Sequence, residues 1–221
     1  MQICCQNIIR FYDDLNSLPM NWTYQNLIFL DEVGFDNRDM FRKRGYALKG
    51  SRIVVRAEFT RGKRCSLLCF LGINGIEETY STEGTFDRHK FLSHCSDFAT
   101  SEKVREYPGK HSVWILDGAS IHCDKNISHY LRSLGIYTVY LPAYSPFYNP
   151  IEIVFGNIKS HLQRNYIENI SFAEMNIFVA QTLIDFMSKS AKKIFSKCGY
   201  VRSGFIDPVK AFKQDIKTFG Y

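Results

Sequence analysis

The 221-residue chain has no run of apolar residues long enough to cross a bilayer as a helix, which takes about 18 or more. It also lacks the basic-then-apolar layout of a secretory leader: residues 1–20 carry Asp13 and Asp14 instead. The expectation is a soluble chain that is not exported and has no membrane partner. The seven cysteines (Cys4, Cys5, Cys65, Cys69, Cys95, Cys123 and Cys198) are odd in number and contain no CxxC pair. That argues against a disulfide framework or a zinc site and for a reducing compartment, with the cysteines as packing residues. Internal repeats and low-complexity tracts are absent too, so solenoids and linker-like disorder are set aside. What remains is 45% hydrophobic content over a length that supports one sizeable core and a short appendage.

Apolar runs end on acids at two places. Asp31 closes LIFLD and Asp117 closes VWILD. Each reads as a short buried strand whose carboxylate emerges at the C-terminal edge of a sheet, where open α/β folds build their sites. A third acid arrives on a helix. In SPFYNPIE, Asn149 suits an N-cap and Pro150 the first helical position, and Ile151, Val154, Phe155, Ile158 and Leu162 then recur at spacings of three and four. Glu152 lies off that stripe. Two strand-end aspartates and a helix glutamate form an oxygen-only donor set, which suits Mg²⁺ or Mn²⁺ and which two such ions could share. Ordinary readings compete: a Glu three residues after an Asn N-cap has capping-box geometry, and a strand-end Asp often bonds its own backbone in a turn. Three acids with matched apolar lead-ins are harder to explain as unrelated turns and caps.

The segments FLDEVGF, ILDGASIH and LPAYSPFYNPIEIVFGNIK, with 34 residues between Asp117 and Glu152, resemble the catalytic domain of mariner-type DDE transposases and their bacterial insertion-sequence relatives. The resemblance runs from Leu27 to Arg164, and SPxxNPIE joined to that spacing is its most specific part. It implies that Asp31, Asp117 and Glu152 are the catalytic, metal-binding triad, holding two Mg²⁺ ions for which Mn²⁺ may substitute, with His122 and Asn149 as supporting residues. Two departures stand out. Gly118 occupies a position where the family usually has Asn, and the 26 residues before the first strand are too few for the helix-turn-helix region that reads transposon ends.

Secondary-structure patterning places these motifs in one α/β fold. After the strand at Leu27–Gly34, SRIVVRAEF and CSLLCFLGI read as a hairpin around RGKR, with GIEETYS as a further strand. TFDRHKFLSHCSDFATSEKV reads as a helix, HSVWILD as a strand, Lys125–Ser133 as a helix and IYTVYLP as a strand. Antiparallel strands followed by alternating helix and strand describe a ribonuclease H-like layout, a mixed five-stranded sheet flanked by helices. The resemblance implies that its first and fourth strands are neighbours. FAEMNIFVAQTLIDFMSKSAKKIF reads as one closing helix. The expected division is 1–26 as a residual linker or helix, 27–197 as the catalytic domain and 198–221 as a C-terminal tail.

Charge points to the partner. Net charge is +6, and nine basic residues (Arg42, Lys43, Arg44, Lys49, Arg52, Arg56, Arg61, Lys63 and Arg64) share a 23-residue stretch with one acid, Glu58. Nucleic-acid phosphate is the natural counterpart, although such a cluster also serves as a solvated basic face. Arg52 and Arg56 share a face of a regular strand, and Arg61, Lys63 and Arg64 follow at the turn. Lys159, seven residues after Glu152, projects on the same side of the helix.

The resulting expectation is a transposase catalytic domain, a two-metal-ion DNA endonuclease and strand transferase acting in transposition and integration without its N-terminal end-recognition module. DNA is the partner, with a homodimer left open. The location is nuclear if the source is eukaryotic and cytoplasmic otherwise. The alternative is a catalytically silent, domesticated or decaying remnant that binds nucleic acid or a protein. A ribonuclease acting on RNA–DNA hybrids would share the fold and metals but not the SPxxNPIE signature.

Overall fold

The computed structural model describes residues 5–36, 46–52, 63–165, 171–187, 189–201 and 204–212. Five strands, β1 (Leu27–Phe35), β2 (Cys65–Gly72), β3 (Gly75–Glu83), β4 (Val113–Leu116) and β5 (Tyr137–Tyr140), form one sheet in the order β3-β2-β1-β4-β5. The β1–β2 and β2–β3 pairs are antiparallel, whereas β1–β4 and β4–β5 are parallel. This is the expected mixed sheet, with the first and fourth strands side by side.

Both faces of the sheet are covered, which is why β1, β2 and β4 read as nearly continuous apolar runs rather than as alternations. On one face Ile28, Leu30, Phe70 and Trp114 pack against Phe91, Cys95 and Phe98 of α2 (Arg88–Ala99) and Leu131 of α3 (Lys125–Ser133). On the other, Leu27, Phe29, Val33 and Ile115 meet α4 (Pro150–Asn165) and α5 (Phe172–Met187). The predicted stripe of α4, from Ile151 to Leu162, is buried throughout. The Asp87 carboxylate caps α2 by accepting from the Lys90 N–H at 2.8 Å, so that helix is shorter than its sequence pattern suggested.

One expectation lies largely outside the described residues and another changes. Most of SRIVVRAEF, including Arg56, and part of RGKR, including Arg61, lie outside the described residues, as do Arg42, Lys43 and Arg44. Among the described residues, a hairpin joins β2 to β3 through Ile73 and Asn74. The single closing helix is interrupted: α5 ends at Met187 and α6 (Lys192–Lys197) begins a new axis. The cause is local. The Ala191 N–H donates to the Ile73 carbonyl at 2.9 Å, tying the connection to the β2–β3 turn instead of continuing the helical ladder. Gly75 in that turn has φ +129°, and a Cβ there would lie 2.5 Å from the Met187 carbonyl oxygen, so turn and helix end meet backbone to backbone.

Core side chains come from both sides of residues 27–197. Phe11 and Leu15 of α1 (Cys5–Asn16) are buried, as are Tyr200 of β6 (Tyr200–Val201), Ile206 of β7 (Phe205–Ile206) and Ala211 of α7 (Pro208–Phe212). Tyr200 stands at the centre of this closure. Its ring lies 5.0 Å from that of Phe29, its hydroxyl donates to the Tyr148 carbonyl at 2.9 Å, and its own carbonyl accepts from Tyr24 Oη at 2.6 Å. Tyr200→Ala is expected to cost about 3–5 kcal/mol, as for other buried aromatic truncations. Tyr200→Phe, which loses only the hydroxyl, should cost roughly 1 kcal/mol. Urea unfolding of the two variants checks both values, and equal costs would show that the ring does not anchor the C-terminal segment.

Candidate active site

The parallel register Leu30↔Leu116 places Asp31 and Asp117, each the next residue along, beside one another. Asp31 closes the apolar run LIFLD but not its strand, which the sequence pattern carried on to Gly34. β1 runs on to Phe35 along β2, with Asp31 opposite Cys69. It is the pairing with β4 that stops at Leu30, and this opens the sheet between Asp31 and Asp117. Alternation along β1 puts Asp31 on the face of Phe29 and Val33, the face covered by α4, whose first turn carries Glu152.

The carboxylates act on one another electrostatically. Burial, followed by the charges of Glu152 and Asp117, pushes the Asp31 pKa up to about 8. Glu152 is likewise raised, first by burial, then by Asp117, with nearby Lys159 pulling the other way. For Asp117, burial acts upward, but the His122 hydrogen bond and charge, with the Ala119 N–H, outweigh it and hold the carboxyl below its usual range. Among the described residues, no group of three His, Cys, Asp or Glu side chains closes into a cage around an ion position. The acids lie within electrostatic reach of one another without forming a shell. The donor chemistry fits a hard divalent cation: every candidate ligand is an oxygen, and Asn149 Oδ1, next to Asp31, is buried without a hydrogen-bond partner.

Asn149 does not act as the expected side-chain cap. Its Nδ2 donates to Asp31 Oδ2 at 3.1 Å, and its backbone N–H donates to the Pro146 carbonyl at 2.9 Å. The reciprocal capping box with Glu152 is therefore not formed. Pro150, with no N–H to satisfy, starts the helix without it.

His122 is fully buried and joins two acids. Nδ1 is hydrogen-bonded to Asp117 Oδ1, and Nε2 lies 3.0 Å from Glu32 Oε2. Burial alone would lower the imidazole pKa, but the two carboxylates raise it to about 10, so the ring is a cation at neutral pH. Glu32 escaped the sequence reading. The available signal was the pair Asp31-Glu32 inside a buried strand: consecutive residues face opposite sides, so the second acid also needed a partner. Gly118, the departure from the family pattern, has open space where a side chain would begin.

The basic residues disperse around this edge. Arg52 is exposed. Lys63 pairs with Glu83 at 2.7 Å, an exposed contact of small energetic weight, and the Arg64 guanidinium lies across Gly34. Lys159 senses Glu152, as the i, i+7 spacing implied. Arg10, Lys125 and His129, which sequence reasoning did not select, line a cleft of about 470 Å³ with Cys123 and Tyr140, next to the loop that carries His122. Arg10 comes from α1 and reaches this cleft only because that helix packs on the sheet.

Residues 26–172 match the model of the DDE superfamily endonuclease family. No curated protein matches the chain. Among solved structures, the chain is similar to the Mos1 transposase of a pre-cleavage transpososome (TM-score 0.69, 13% identity, all of this chain and 65% of that one). The Mos1 paired-end complex with Mg gives the same values. The isolated Mos1 mariner catalytic domain aligns over all of this chain and 98% of its own length, with TM-score 0.59 and 11% identity. The chain thus spans about two-thirds of the transposase in the assembled complexes and nearly all of the isolated catalytic domain. At these identities the likeness is one of fold, and the fold is ribonuclease H-like. Because the family match runs across more than half of the chain and takes in all five strands of the main sheet, the chain belongs to the DDE superfamily endonucleases.

Proposed function

We propose that the chain is a mariner-type transposase catalytic domain that cleaves DNA phosphodiesters and transfers the resulting strand ends, with Asp31, Asp117 and Glu152 holding two Mg²⁺ or Mn²⁺ ions. The observation that carries this reading is the Leu30↔Leu116 register, which seats two acids from different strands at one opening of the sheet, within electrostatic reach of a helix glutamate. When bound there, the ions supply Lewis-acid activation of a water or 3′-hydroxyl and offset charge developing at the scissile phosphate. The protein residues position the donors. Asn149 orients Asp31 through its Nδ2, and His122 holds one oxygen of Asp117. Lys159, on the Glu152 helix, supplies positive charge for a backbone phosphate, Arg10 and Lys125 add charge at the neighbouring cleft, and Arg52, Lys63 and Arg64 contribute to the basic surface. Solved Mos1 complexes with Mg, with Mn and with a transposon end support divalent-ion use and DNA binding.

Two results follow. In a plasmid-nicking assay with Mn²⁺, Asp31→Asn, Asp117→Asn and Glu152→Gln should each lower cleavage by at least about 100-fold, the loss of a transition-state electrostatic contact in a dry site. DNA binding should persist with its salt dependence intact. Nicking that survives all three changes would overturn the reading, and binding without nicking by the unaltered chain would favour a silent remnant.

The second concerns stability in EDTA. The folded-state pKa of Asp31 is raised from 3.8 to about 8, so its contribution is fully present below the unfolded value and is lost as pH rises from 3.8 towards 8. Asp31→Asn removes that ionisation, and a 180° turn of the Asn149 amide lets its buried, unpartnered Oδ1 accept from the new amide. The variant should melt near the wild type at pH 4 and above it at pH 8 and higher. Thermal unfolding at the two pH values decides this, and an equal difference at both would refute it.

A further inference from the structure

Asp31 and Glu32 are consecutive, yet they serve opposite faces of β1. Asp31 meets Asn149 under α4, whereas Glu32 turns to the side of α2 and α3 and ends 3.0 Å from His122 Nε2. The imidazole between Glu32 and Asp117 has no freedom to swing. Its side chain is fully buried, its ring lies 4.7 Å from that of Phe91 at an interplanar angle of 30°, and both ring nitrogens are occupied by carboxylate oxygens. The backbone that bears it is fastened as well. The His122 N–H donates to the Ala119 carbonyl at 2.9 Å, and the His122 carbonyl accepts from Tyr140 Oη at 2.9 Å. On the far side, Asp117 Oδ1 takes both His122 Nδ1 and the Ala119 N–H at 3.0 Å. Oδ2 is left as the oxygen that Asp117 can offer to a cation.

We propose that Glu32 is a positioning residue of the metal site, which fixes through His122 which oxygen of Asp117 faces the ions. This rests on the reading of Asp117 as a metal ligand. The physical requirement is specific. Without an acceptor at Nε2, a buried ring N–H loses its partner. The ring then gives up its Nε2 proton, leaving a neutral and weaker Nδ1–H donor to Asp117, or it turns, and either response loosens the hold on Asp117 Oδ1. Carboxylates that ligate metals depend on such hydrogen bonds to keep one lone-pair direction, and removing an outer partner typically costs about 10- to 100-fold in metal affinity. β1 thereby supplies a proposed ligand and the support of a second one from adjacent positions, so any shift of the strand is felt at both acids.

The test uses the full chain as wild type, Glu32→Ala and Glu32→Gln, with Mn²⁺ as the probe. Electron paramagnetic resonance of free Mn²⁺ gives the affinity, and ¹⁵N–¹H spectra of the metal-free protein report the His122 ring nitrogens. Glu32→Ala should weaken Mn²⁺ binding about 10- to 100-fold and shift the Nε2 resonance. Glu32→Gln keeps an oxygen acceptor in the same place and should retain most of the affinity, a rescue that a purely space-filling role would not require. If Glu32→Ala does not fold, Glu32→Asp, whose carboxylate stops one methylene short of Nε2, replaces it with the same expectation. Wild-type affinity in Glu32→Ala, an unmoved Nε2 resonance, or equal losses in the Ala and Gln variants would overturn the proposal. Wild-type protein that binds no Mn²⁺ would remove the metal-site reading itself and this inference with it, while wild-type binding combined with any of the preceding results would remove this inference alone.

Discussion

The parallel pairing of β1 with β4 is the constraint on which the rest of the structure depends. It joins residues more than eighty positions apart in the chain, and its register, Leu30↔Leu116, decides whether Asp31 and Asp117 are neighbours. A slip of one residue would turn every side chain of β1 to the opposite face and send Asp31 into the packed layer under α2. Hydrophobic patterning prevents that slip. Phe29 is held at 5.0 Å from both Phe195 and Tyr200, and Leu30 lies in the other layer with Phe70 and Trp114. The site is as well defined as the packing of these rings.

That dependence explains why the segments flanking the central sheet matter to the site. Phe195 and Tyr200 come from α6 and β6, beyond the motifs, and their contacts with Phe29 clamp the same strand that carries Asp31. At the other end, α1 packs Phe11 against Tyr148, directly before Asn149 and α4. Tyr148 also accepts the Tyr200 hydroxyl bond, so the turn that delivers Asn149 and Glu152 is gripped from both termini of the described chain. Aromatic contacts of this kind add roughly 0.5–1.5 kcal/mol each beyond the area they bury. Several acting on one turn fix its position in a way a single contact does not.

Much of this was legible in the sequence. The strands at Leu27, Val113 and Tyr137, the helix over Lys125–Ser133 and the buried stripe of α4 all follow from local periodicity, which operates over the residues that make each element. What local pattern did not carry was set by long-range hydrogen bonds. Asn149 reads as a cap because caps are local; its amide instead reaches Asp31, 118 positions away. The closing helix reads as continuous because residues 172–195 are helical by composition, and the break comes from the Ile73 carbonyl. Glu32 went unselected because its partner, His122, is 90 positions distant and because Glu32 faces the other side of β1 from Asp31. Adjacency of the first and fourth strands came from the family resemblance and not from periodicity, since no sequence pattern states which parallel strands touch.

The Asn149 exchange shows how the local rule loses. A side-chain cap contributes about 1 kcal/mol to a helix start, and Pro150 reduces the need for one by removing a donor. Asp31 is nearly enclosed, with two other carboxylates near it, and a buried carboxyl oxygen lacking a hydrogen-bond donor costs more than an absent cap. A single Asn amide cannot aim at both, so it turns to the larger deficit. The same inequality accounts for His122, drawn into full burial between two acids although burial by itself disfavours its charge. In both cases a concentration of negative charge recruits donors away from the roles their positions in the sequence suggest. The fold thus keeps these acids hydrogen-bonded and aimed, at the expense of Asn149 as a helix cap and of a solvent-exposed His122.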